Sequence, residues 1–147
     1  MRAFLFPIIL AAGLSALATL CAPALAGSKL WPVEIFDVMD NQKLVLFLRD
    51  EDIVSSPTWQ PADGAPPLTI AEALKHIQSW IDQDPRLAGA RVHELELKPI
   101  HEHHQQDRWY YLLQLLTERD GEVVTSYAAV LMNGKVVAAI VEPDSYK

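Results

Sequence analysis

The residues best equipped for chemistry lie in one stretch, KPIHEHHQQDRWYYLLQLL, residues 98–116. His101, His103 and His104 offer imidazole nitrogens, with Glu102 and Asp107 as nearby carboxylates. In an extended chain alternate residues share a side, so His101 and His103 form a two-nitrogen clip for zinc or copper, with His104 as a further ligand. The order does not suit a helical zinc peptidase. Residues 101–105 read H-E-H-H-Q, and Gln105 stands where H-E-x-x-H needs its second histidine. A closed metal site normally recruits ligands from a second element, for which His76 and His93 are the remaining histidines. Two other readings stay open. The segment is a solvated hairpin loop, polar because loops run over the surface, or a pH sensor, because clustered imidazoles gain charge at about pH 6 to 7.

Other chemistries lack their residues. There is no G-x-S-x-G elbow and no phosphate-cradling glycine loop. The single cysteine, Cys21, falls in a segment expected to be removed, which leaves no thiol nucleophile. Asp50, Glu51 and Asp52 are adjacent carboxylates of the kind that form a solvated turn, and a glycosidase pair needs a cleft that a domain of this size rarely encloses. The expectation is a non-enzymatic protein without a cofactor, zinc or copper at the histidine loop being the alternative.

Residues 1–26 set the destination. Arg2, an apolar run from Phe4 to Leu20 and the small residues Ala24 and Ala26 around Leu25 make a secretory signal peptide with cleavage expected before Gly27. Its apolar run approaches the roughly 18 to 20 residues that span a bilayer, but Pro7, Gly13 and the cleavage triplet favour removal. Leu20 before Cys21 is too bulky for lipoprotein processing. The mature chain is therefore expected in the periplasm or outside the cell, free of the membrane. It has no disulfide, so its core must hold it together. The formal charge of the 147-residue chain is −7 and becomes −8 without Arg2, with no basic stripe to replace phosphate counterions. Nucleic acid is not an expected partner.

The elements that would position these side chains follow from pattern. WPVEIFDVMDNQKLVLFLRDED, residues 31–52, reads as a hairpin with strands near 33–39 and 44–49 around Asp40-Asn41, although Ile35-Phe36 leaves a short helix over 33–39 open. Four prolines and a glycine in residues 55–67 predict an irregular connector, with Trp59 as a clamp on the domain surface or a ligand stacker. Thr69 and Glu72 spell a capping box, and Ile70, Leu74, Ile77 and Ile81 gather on one helical face with Ala73 and Trp80 at its margins, before Pro85 stops the helix. His76 falls between these core positions and is expected to be partly exposed. Strands are expected over 92–98, 108–118, 122–132 and 135–142, the last three joined by the two-residue turns Asp120-Gly121 and Asn133-Gly134. Neither an amphipathic helix nor a one-faced sheet buries its apolar side alone. The expected fold is α+β: one amphipathic helix on an antiparallel meander of about four strands, with an additional N-terminal hairpin.

The order LTIAEALKHIQSW, then a strand, then WYYLLQL, then VVTSYAAVLMNGKVVAAIVE resembles the PepSY domain, a capped helix followed by a meander whose last turn reads roughly T/N-G-K-V. The likeness covers about residues 68–142, and cystatin-like folds share the pattern. The long histidine-bearing connection and the 30–54 segment depart from it. On this division residues 1–26 are the signal, 27–67 the hairpin and connector, and 68–147 the PepSY-like or cystatin-like domain. The resemblance implies a secreted or periplasmic module that binds or restrains other proteins, in some relatives peptidases, with no catalytic residues. It also implies a binding surface on the exposed sheet face or edge. Trp109, Tyr110 and Tyr111 are the candidates for contact with a protein or peptide partner. Since alternate strand residues share a face, Trp109 and Tyr111 point one way and Tyr110 the other. An interbacterial immunity protein against a toxin or hydrolase has the same physics, and metal binding by His101, His103 and His104 is the reading from another class.

Overall fold

The computed structural model describes residues 32–101 and 107–142. The N-terminal hairpin consists of β1 (Val33–Met39) and β2 (Gln42–Leu48). Asp40 and Asn41 take positive φ at the turn between them, a conformation that short polar side chains tolerate. A short helix, α1 (Asp50–Val54), leads to the proline-rich connector, and the main helix α2 (Ile70–Gln83) follows. β3 (Arg91–Pro99), β4 (Trp109–Arg119), β5 (Glu122–Leu131) and β6 (Val136–Val141) complete the chain.

The strands form one antiparallel sheet in the order β1-β2-β6-β5-β4-β3. The hairpin is not an appendage to a four-stranded meander. β2 pairs with β6, Val45 opposite Ile140, so the sheet has six strands with β1 and β3 at its edges. Each face buries its own core. On one side Ala73, Ile77 and Ile81 of α2 pack with Tyr111, Leu113, Leu115, Ala128 and Val130. On the other side Ile35, Met39, Leu44 and Leu46 of the hairpin meet Tyr110, Leu112, Ala129 and Leu131. β1 and β4 are four positions apart in the sheet, about 19 Å if it were flat at roughly 4.8 Å per strand. Their side chains share a core only because the sheet curls into a half-barrel.

Helix α2 starts as its sequence predicts. The Thr69 hydroxyl accepts from the Glu72 amide, and the Glu72 carboxylate accepts from the Thr69 amide at 2.9 Å. Its buried stripe is narrower than expected. Ala73, Ile77 and Ile81 are enclosed, but Ile70 and Leu74 stay exposed, because the helix backbone lies over β5 and β6 and its first turn borders an open groove beside β3. The last hairpin also differs from expectation. Gly134 donates to the Leu131 carbonyl and the Leu131 amide donates to the Lys135 carbonyl, which makes a three-residue loop, Met132–Gly134, with Gly134 alone at positive φ. Asp120-Gly121 is the two-residue turn expected, closing the Arg119–Glu122 pair.

Candidate functional site

Residues 95 and 97 do two things at once. Ile100 donates to the Arg108 carbonyl, and hydrogen-bonded pairs alternate along an antiparallel ladder, so Lys98, Glu96 and Glu94 turn their amides and carbonyls toward β4. Leu95 and Leu97 therefore direct their backbone groups outward from the edge of the sheet. Their side chains stand on the α2 face, opposite Leu113 and Tyr111. Pro99, with no amide to offer, ends the open edge on one side, and the register shift between Val92 and Glu94 ends it on the other.

Between this edge and the first turn of α2 lies an apolar groove of about 580 Å³, lined by Pro66, Thr69, Ile70, Ala71, Leu95, Leu97 and Tyr111. Ile70 and Leu97, 54% and 38% exposed, are the large apolar side chains left on its rim. The walls are held rigidly. The Tyr111 hydroxyl donates to the Leu68 carbonyl at 2.7 Å, tying the sheet to the residue before the helix cap. Burial, reinforced by the nearby Glu72 charge, pushes the Tyr111 phenol above its ordinary pKa and keeps it a donor.

A second cleft of about 370 Å³ separates the two edge strands and is lined by Glu34, Ile35, Phe36, Asp37, Lys98, Pro99, His101 and Tyr110. Asp37 clasps it. Its Oδ1 accepts from Lys98 Nζ at 2.8 Å and from the Val38 amide at 2.7 Å, and its Oδ2 accepts from the Tyr110 hydroxyl. Lys98 also donates to the Val38 carbonyl and pairs with Glu96. Burial alone disfavours the Asp37 carboxylate, but the hydrogen bonds from Lys98, Tyr110 and Val38 outweigh it and hold the carboxyl below its ordinary range. Lys98 is raised, its burial outweighed by the bonds to Asp37 and Glu96, and Tyr110 is raised by burial and by its bond to Asp37.

Two of the three aromatics are built into the interior, and Trp109 is half-buried. Tyr110 and Tyr111 are each 1% exposed and face opposite cores, as alternation requires. They form floors of the two clefts rather than raised contact surface. Trp109 meets Trp59 edge to face with ring centroids 5.4 Å apart, and the Trp59 amide donates to the Asp107 carbonyl. Trp59 thus clamps the connector onto the domain. His101 is exposed at the mouth of the second cleft, while His103 and His104 lie outside the described residues. His76 and His93 are exposed on α2 and β3, and no group of three possible metal-ligating side chains occurs among the described residues.

Sequence reasoning did not name Asp37, Ile70, Leu95, Leu97 or Lys98 as site residues, and it read Ile70 as part of the buried helix face. The proline closing β3 was the available signal, since proline ends or borders an edge strand. Among the described residues no helix is long and apolar enough to cross a membrane. Comparison of the chain with family models, curated proteins and solved structures finds no match.

Proposed function

We propose that the chain is a non-enzymatic module, secreted or periplasmic after cleavage before Gly27, that binds an extended segment of a protein or peptide along β3. The observation that carries this is the coincidence at Leu95 and Leu97 of outward backbone groups with an adjoining apolar groove. An added strand would take main-chain hydrogen bonds from the edge and place alternate apolar side chains against Ile70, Leu97 and Tyr111. The helix-then-meander order that resembles a PepSY domain supports the same reading, with restraint of a hydrolase or immunity toward a toxin as forms that such binding takes.

Peptide display against residues 27–147, followed by titration of the selected peptides, tests it. Selected sequences should alternate apolar residues and lose at least about tenfold in affinity to Leu97→Asp, which places an unpaired charge in the groove. Failure to select any such peptide, or binders indifferent to both Leu97→Asp and Ile70→Asp, would overturn the proposal.

A further inference from the structure

At the far end of α2 the same sheet face carries a different site. A cleft of about 270 Å³ is lined by Trp80 and Leu87 on one wall and by Thr117, Val124 and Ala138 on the sheet, with Arg86, Arg119 and Ser126 among its polar residues. The residues reach it by register: Thr117 pairs with Val124, Leu115 with Ser126, and Ala128 with Ala138.

Its polar groups are unequally satisfied. Arg86 is neutralised by Asp84, whose carboxylate accepts from Nε at 3.0 Å and from Nη2 at 2.7 Å. These contacts lower the Asp84 carboxyl and raise the guanidinium. Arg119 donates instead to the Arg86 carbonyl, which positions its guanidinium at the cleft without cancelling its charge. Glu122, its cross-strand neighbour, forms no ion pair with it. The Ser126 hydroxyl is buried without a hydrogen-bond partner among the described residues. Leaving a buried hydroxyl without a partner is costly, so a native one calls for a ligand or a water.

We infer that this cleft binds a carboxylate carried on a short apolar body, with Arg119 and the Ser126 hydroxyl on the carboxylate and Trp80, Leu87 and Val124 around the body. A guanidinium with free donors matches a carboxylate in a planar fork. The size limits the ligand, because drug-sized molecules occupy roughly 300 to 1,000 Å³. A small free acid or the last residue of a polypeptide fits. The site is separate from the β3 groove and does not depend on it.

The test is amide NMR of residues 27–147 titrated with three probes: hexanoate, N-acetyl-Ala-Val-Leu with a free carboxylate, and the same tripeptide as its carboxamide. Perturbation of the Trp80 indole and of the Arg119 and Ser126 amides is expected with at least one carboxylate and not with the carboxamide. Binding of the tripeptide acid alone identifies a chain terminus, and equal or tighter binding of hexanoate identifies a free acid. Arg119→Gln, at an exposed strand end, should keep the fold and weaken binding by on the order of tenfold or more. Ala138→Leu should block the cleft sterically. Silence with both carboxylates to millimolar concentration, equal binding of acid and carboxamide, or unchanged affinity in Arg119→Gln would each overturn the inference.

Discussion

Lys98 Nζ lies 2.8 Å from Asp37 Oδ1, joining the two edge strands of one six-stranded sheet. Five strand spacings separate these edges, about 24 Å in a flat sheet. The clasp therefore records the closure of the half-barrel. It also covers β1 at one position. The two-residue turn at Asp40-Asn41 sets the alternation so that Val38 turns its backbone outward, and both its polar groups are occupied, the amide by Asp37 and the carbonyl by Lys98. β3 has no such cover at Leu95 and Leu97, and of the two edges it is the one that adjoins the apolar groove beside α2, which is why the proposed partner is placed there.

Asp37→Ala should cost about 1 to 3 kcal/mol, because it leaves the Tyr110 hydroxyl without its acceptor and Lys98 with Glu96 as its one carboxylate partner among the described residues. Urea unfolding of the single and double variants with Lys98→Ala measures the coupling. Strict additivity of the two single changes would mean that the clasp contributes nothing.

The clasp also predicts a pH profile. Asp37 titrates lower in the folded chain than an ordinary aspartate, so its contribution is present above about pH 4 to 5 and is lost as pH falls through the folded value. Lys98 titrates higher in the folded chain than an ordinary lysine, so its contribution is present below about pH 10 and is lost as pH rises through the folded value. Wild-type urea midpoints should therefore fall at both extremes. Asp37→Asn should flatten the acid limb, and an acid limb identical to wild type would contradict the assignment.

Gly134→Ala separates two effects. The new Cβ would lie 2.7 Å from Cε1 and Nε2 of His76, but that ring is on an exposed side chain and can swing away. The φ of +86° cannot be relieved in this way. The expected loss is about 1 to 2 kcal/mol from backbone strain. Thermal melts should show the same loss in a His76→Ala background, whereas full rescue there would make the contact the dominant cause.

Thr69→Ala removes the hydroxyl that caps α2 and should destabilise the domain by about 0.5 to 2 kcal/mol. The first turn of α2 forms one wall of the β3 groove, so hydrogen exchange at Ile70–Ala73 should accelerate before that of Ile77. Uniform acceleration along the helix would show that the cap does not act locally.

Local signals carried much of the fold. The T-x-x-E box, Pro85, Asp40-Asn41 and Asp120-Gly121 act over a few residues, through a hydroxyl, a missing amide or tolerance of positive φ, and their effect is the same in any tertiary setting. Alternation likewise placed Tyr110 and Tyr111 on opposite faces. Asn133-Gly134 shows the limit of such signals. The same dipeptide suits a two-residue or a three-residue loop, and the choice here accompanies the bonds of Asn133 to Asp52 and Ser55, about eighty residues away in sequence.

Partner choice between strands was out of reach of the sequence. β2 pairs with β6 across most of the chain, and Asp37 meets Lys98 sixty-one residues on, because burying two apolar faces at once favours a curled sheet over an open meander. Packing on both faces made Tyr110 and Tyr111 interior and Trp109 half-buried and left Ile70 and Leu97 on a rim, since exposure depends on what covers a residue. The amino-acid order determined the elements, their caps and the facing of each side chain. The tertiary structure alone decided which edges stayed open and which polar groups were left without partners, because both depend on packing between segments distant along the chain.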